Sequence, residues 1–100
     1  MSADSLNLIL GVSRSLLSPG WGWPVHGLRH PPHGGTSGWY VWTGDLPDAA
    51  DFFVPIHASH LFERVPEVGK YLLLAPGYRF LIAPGHQDVW MDESLLRIDG

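Results

Sequence analysis

The chain has 100 residues and no cysteine; 45% of it is hydrophobic and 16% charged, with 6 Lys+Arg against 10 Asp+Glu for a formal charge of -4. Enough apolar surface is present for a core, and neither disorder nor a disulfide framework fits this composition. Its cations, Arg14, Arg29, Arg64, Lys70, Arg79 and Arg97, are scattered rather than clustered, which argues against a phosphate-neutralising surface and so against nucleic acid as partner.

Residues 1–100 are expected to form a single domain. The apolar run over residues 6–12 is far below the ~20 residues that span a bilayer and lacks the basic start of a secretory signal. A cytoplasmic protein without a membrane partner is the expectation. Residues 6–17 fit two readings: Ile9, Val12 and Leu16 have helical spacing, whereas Gly11, Ser13 and Ser15 suit the end of a strand. Short aromatic or β-branched runs bounded by turn residues then predict strands over residues 23–28, 38–43, 52–56, 78–83 and 88–91.

Leu61, Val65, Val68 and Leu72 recur at spacings of four, three and four, the signature of one apolar helix face. Pro66 suits a first helical turn, so two short helices are predicted, Ala58–Arg64 and residues 66–74, with a bend at Val65. Pro76 and Gly77 end this part, Gly34 to Gly38 reads as a mobile loop, and Asp92 or Ser94 is positioned to cap a last short helix from Glu93 to Leu96. The fold class that follows is α+β: a small, mainly antiparallel sheet with a short helical hairpin packed on it.

Catalytic and metal chemistry find little support. His26, His30 and His33 are spaced four and three apart, and His57 and His60 three apart, but Pro24, Gly27, Pro31 and Pro32 exclude a helix around the first set and no Cys completes a zinc site. Ser59 lies between two histidines without a carboxylate partner, and no Gly-x-Ser-x-Gly elbow exists. The stretch with Asp45, Asp48 and Asp51 lacks the ligand alternation, glycine and terminal glutamate of an EF-hand loop. No enzyme activity, cofactor or metal site is expected.

Aromatic and acidic residues are more informative. A strand through Trp39–Thr43 puts Trp39 and Val41 on one face and Tyr40 and Trp42 on the other, so it is either central and covered twice or presents a binding face. Residues 1–44 hold Asp4 against Arg14 and Arg29, whereas residues 45–100 hold nine acids against four bases. Asp45, Asp48, Asp51, Asp88, Asp92 and Glu93 therefore form a candidate electronegative rim for a basic partner, with Trp42 or Trp90 as the desolvated anchor.

The combination Ser37-Gly38-Trp39 and Thr43-Gly44-Asp45, with Ser13-Arg14 upstream, resembles the bacterial immunity proteins of polymorphic toxin systems, and within them the group carrying an SGW-x-x-x-[ST]-G-[DE] signature. Over residues 12–96 the likeness extends to the helical segment and to Pro76-Gly77-Tyr78-Arg79-Phe80. It implies a cytoplasmic, non-enzymatic antidote that binds a cognate toxin directly and acts in interbacterial competition. An alternative from another class is a small peptide- or carbohydrate-binding module that uses exposed tryptophans.

Overall fold

The computed structural model describes residues 9–18, 20–32, 36–44 and 53–97. Of the stretch 6–17, residues 9–17 take up the two readings in succession: they open as strand β1 (Ile9–Ser13) and close as one helical turn, α1 (Arg14–Leu17). There follow β2 (Val25–Arg29), β3 (Trp39–Thr43), β4 (Phe53–His57) and α2 (Ala58–Arg64). A 3₁₀ segment (Pro66–Tyr71), the hairpin β5 (Tyr78–Ala83) and β6 (His86–Met91), and a 3₁₀ turn (Glu93–Leu96) complete the elements of the described residues.

The strands form one six-stranded sheet in the order β4-β1-β3-β2-β5-β6. Only β1 and β3 run parallel; every other neighbouring pair is antiparallel. With α2 and the 3₁₀ segments beside it, the sheet makes this the expected α+β fold. The predicted helical hairpin becomes one α-helix and one 3₁₀ segment, separated by Val65 at φ -137. Pro66 has no N–H to continue the α-helical ladder, and the Val68 amide bonds three residues back, to Val65 O at 3.1 Å. Gly69 leaves room for the Phe62 ring, which a Cβ there would overlap, so the two segments pack closely.

One face of the sheet builds the core. Leu10, Val12, Val25, Trp39, Val41, Phe80 and Ile82 point from the strands toward Ala58, Leu61, Val65, Val68, Tyr71 and Leu72. The periodic apolar face is therefore the buried one, and each large side chain there contributes roughly 1.5–3 kcal/mol on burial. The other face carries a smaller cluster of Leu28, Trp42 and Leu95, with Phe53 packed against it. Among the described residues no helix is long and apolar enough to cross a membrane.

Candidate functional site

The signature residues sit where three parts of the fold are tied together. The Ser37 amide and hydroxyl both donate to Ile9 O at 2.8 Å, fastening this segment to the start of β1. Ser37 O accepts from Arg29 Nε at 2.9 Å, and the same guanidinium donates to Leu74 O at 2.6 Å. Trp39 Nε1 donates to Leu72 O at 3.1 Å, and the Trp39 ring packs on Phe80 with centroids 5.5 Å apart. Burial lowers the pKa of Arg29 from its ordinary value, and its two carbonyl partners stand in for the lost water.

Gly38 belongs to the same junction. It has φ +88, and a Cβ on it would overlap the carbonyl oxygen of His30, whose amide donates to Gly38 O at 2.9 Å. Ser37 and Gly38 are buried, so this end of the stretch expected to be a mobile loop is pinned; Gly34 and Gly35 lie outside the described residues. At the far end of β3, Thr43 Oγ1 shares a hydrogen bond of 2.8 Å with Ser15 Oγ, which shares another of 2.9 Å with Ser13 Oγ. The described signature residues thus hold the sheet to its helical layer, while Asp45 lies outside the described residues.

The sheet face away from the core is aromatic. Trp42 is 3% exposed, which settles β3 as a central strand covered on both sides at that position. His26 stacks on Trp42 with centroids 5.2 Å apart, and Phe53 meets both Trp42 and Tyr40 edge-on. A hollow of about 190 Å3 lies among Leu28, His30, Tyr40, Trp42 and Phe53. His30 is committed to Tyr40 and to the Leu95 carbonyl, and His57 meets His60 edge-on. No three metal-ligating side chains converge among the described residues, and His33 lies outside them.

Of the predicted rim, Asp88, Trp90, Asp92 and Glu93 come together along β6 and the turn after it, whereas Asp45, Asp48 and Asp51 lie outside the described residues. Asp88 and Trp90 share the face away from the core, opposite Leu81 and Arg79 respectively. Trp90 is 41% exposed, unlike Trp42, and is the accessible tryptophan of the predicted pair. Arg79, whose place here the sequence reading missed, lies over the Trp90 ring at 5.5 Å and pairs with Asp92 at 3.2 Å. Asp88 is 2.9 Å from His86 Nε2.

Asp92 is the cap of the last 3₁₀ turn, accepting from the Ser94 amide at 3.1 Å and from its hydroxyl. The Ser94 hydroxyl is the main cause that holds the Asp92 carboxyl below its ordinary pKa; desolvation opposes it, and Arg79 and the Ser94 amide add smaller effects in the lowering direction. A carboxyl with a depressed folded-state pKa contributes stability above its unfolded pKa and loses it as pH falls through the folded value. Asp92→Asn is accordingly expected to be less stable than the parent at about pH 6, with the difference shrinking toward about pH 3. Urea midpoints of the two proteins at both pH values check this, and a gap that stays constant would contradict it.

A larger cleft of about 690 Å3 lies on the core side of the β5–β6 hairpin, against the 3₁₀ segment. Trp23, Glu67, Lys70, Tyr71, His86 and Gln87 line it. Trp23 is 38% exposed and meets Trp21 edge-on, while the Tyr71 hydroxyl bonds the Gln87 side chain and Lys70 lies 5.2 Å from the Tyr71 ring. Sequence spacing carried no sign of this cleft, because its walls come from three segments far apart in the chain.

Compared with known proteins, residues 2–92 match a family model described as Imm33-like domain. The match takes in β6 and Asp92 and ends one residue before Glu93. No curated protein and no solved structure matches the chain.

Proposed function

Since the chain belongs to the Imm33-like domain family, an immunity protein family, we propose that it neutralises a cognate bacterial toxin by binding it directly in the cytoplasm. The family match carries this reading. The finer assignment to the SGW-x-x-x-[ST]-G-[DE] group within a polymorphic toxin system rests on the signature residues alone. Neutralisation requires no chemistry of the antidote, only a surface that occludes the toxin. Exposed Trp90 beside Asp88, with Glu93 nearby, supports such a surface, because interfaces favour an aromatic anchor with charge around it. The charge of -4 supports a basic toxin.

Co-expression with each toxin encoded beside the chain tests the reading. Growth restored against one of them is the expected outcome, and failure against every adjacent toxin would sink it. Reversing charge in the double variant Asp88→Lys and Glu93→Lys should slow association with that toxin about tenfold at low salt while leaving unfolding unchanged. An association rate indifferent to both the reversal and added salt would remove the steering role.

The Trp23 cleft favours a second reading, a module for peptides or carbohydrates, since an indole at a concave site suits stacking on such ligands. A shift in tryptophan fluorescence on adding oligosaccharides or proline-rich peptides, lost in Trp23→Ala, would favour it. Silence across both panels would count against it.

A further inference from the structure

Beyond β6 no strand pairs among the described residues, and all six of its residues are exposed. The Asp92 amide donates to Gly77 O at 2.7 Å, which fixes the phase of the ladder between β5 and β6. Hydrogen-bonded pairs alternate along an antiparallel ladder, so His86, Asp88 and Trp90 spend their backbone groups on β5. Gln87, Val89 and Met91 direct theirs away from the sheet.

Edge strands are ordinarily guarded by proline, lysine or a bulge. The opposite edge has such a guard, Pro55 in the middle of β4. Strand β6 is guarded less: six consecutive residues pair with β5 without a break, none is proline or lysine, and Asp88 is its one carboxylate. Its apolar side chains lie open as well, with Val89 44%, Trp90 41% and Met91 43% exposed.

We infer that β6 is the docking edge, and that an extended segment of the toxin adds to it as a seventh strand, bonding the outward groups of Gln87, Val89 and Met91. The inference rests on the immunity reading above. Strand addition draws affinity from the main chain and specificity from alternate side chains. On the face away from the core the incoming strand meets Trp90, which already carries Arg79 over its ring, and Asp88, whose carboxylate suits an arginine or lysine; on the core side it meets Val89 and Met91, which suit an apolar residue. The occupant is a toxin segment alternating basic and apolar residues. A second copy of this chain is disfavoured, because it brings the same charge of -4 to the edge.

The test uses the full chain and the purified, catalytically inactivated toxin encoded beside it. Hydrogen exchange should slow at least about tenfold at the amides of Gln87, Val89 and Met91 when the complex forms. Val89→Pro removes an outward N–H and no ladder bond, so it should weaken binding at least about tenfold, whereas Val89→Thr, which keeps the N–H, should bind like the parent. If Val89→Pro fails to fold, exchange on the parent chain decides. A complex in which those three amides exchange as in the free chain would overturn the edge assignment and leave the immunity reading standing. Concentration-dependent protection of the same amides without toxin would assign the edge to a second copy instead. No complex with any adjacent toxin removes the immunity reading, and this inference with it.

Discussion

Trp39→Ala is expected to lower stability by about 3–5 kcal/mol, the usual range for truncating a large buried aromatic. For a chain of this size that corresponds to a fall of roughly 15–30 °C in the unfolding midpoint. The reason lies in two roles of one side chain. Trp39 is 1% exposed and packs on Phe80, so its removal leaves a cavity between sheet and helical layer. It also bonds Leu72 O, a carbonyl at the end of the 3₁₀ segment that would be left without this donor. Trp39→Phe is the milder change: it keeps one aromatic ring but loses the N–H and part of the indole volume, for about 1–3 kcal/mol. Thermal unfolding followed by circular dichroism measures both, and a loss below about 1 kcal/mol for Trp39→Ala would contradict the role given to this residue.

Gly38→Ala is the second large effect, although it adds a single methyl group. The backbone there has φ +88, a region that L-residues rarely occupy, and the new Cβ would collide with a carbonyl oxygen rather than with a side chain able to turn aside. Relief requires moving β2 away from the start of β3, which breaks the bonds from Arg29 to Ser37 O and from the His30 amide to Gly38 O. A loss of about 4 kcal/mol or more is expected. Gly85→Ala supplies the control. Gly85 also has positive φ, +73, but nothing lies within 4 Å of the added carbon, so only the backbone preference is lost, about 1 kcal/mol. Equal effects of the two substitutions would show that the clash at Gly38 is relieved without disturbing the junction.

Helical periodicity was readable from the sequence because one apolar stripe had to be buried. Leu61, Val65, Val68 and Leu72 kept their spacing through a change from α to 3₁₀ geometry, and all four are in the core. Strand positions were readable for a different reason, the glycine and proline turns that bound the short runs, as Pro76-Gly77 and Pro84-Gly85 bound β5. The parallel pairing of β1 with β3 was not, because it depends on which strands the chain brings together and leaves no local pattern. Residues 6–17 could not be resolved locally either: a strand that passes straight into a helical turn satisfies both periodicities in part.

At the candidate site, the aromatic and acidic residues of β6 stood out by composition, but their surroundings did not. Trp42 and Trp90 look alike in the sequence; packing of Leu28, Leu95 and Phe53 covers the first, while the second sits on a strand beyond which no other pairs among the described residues. Arg79 is eleven residues from Trp90 and thirteen from Asp92, and only the hairpin register sets it between them. The signature itself reads differently once its bonds are known. Ser37, Gly38 and Trp39 tie strands of this sheet to one another and to the helical layer, while the surface proposed to meet the toxin lies on another strand.

Titration calorimetry of the purified chain against the purified, inactivated toxin whose lethality it relieves tests direct neutralisation most plainly. A saturable complex of fixed stoichiometry is expected, weakened by added salt as charge complementarity requires. Growth rescued by a chain that forms no complex with that toxin would contradict it, since protection would then arise from something other than binding.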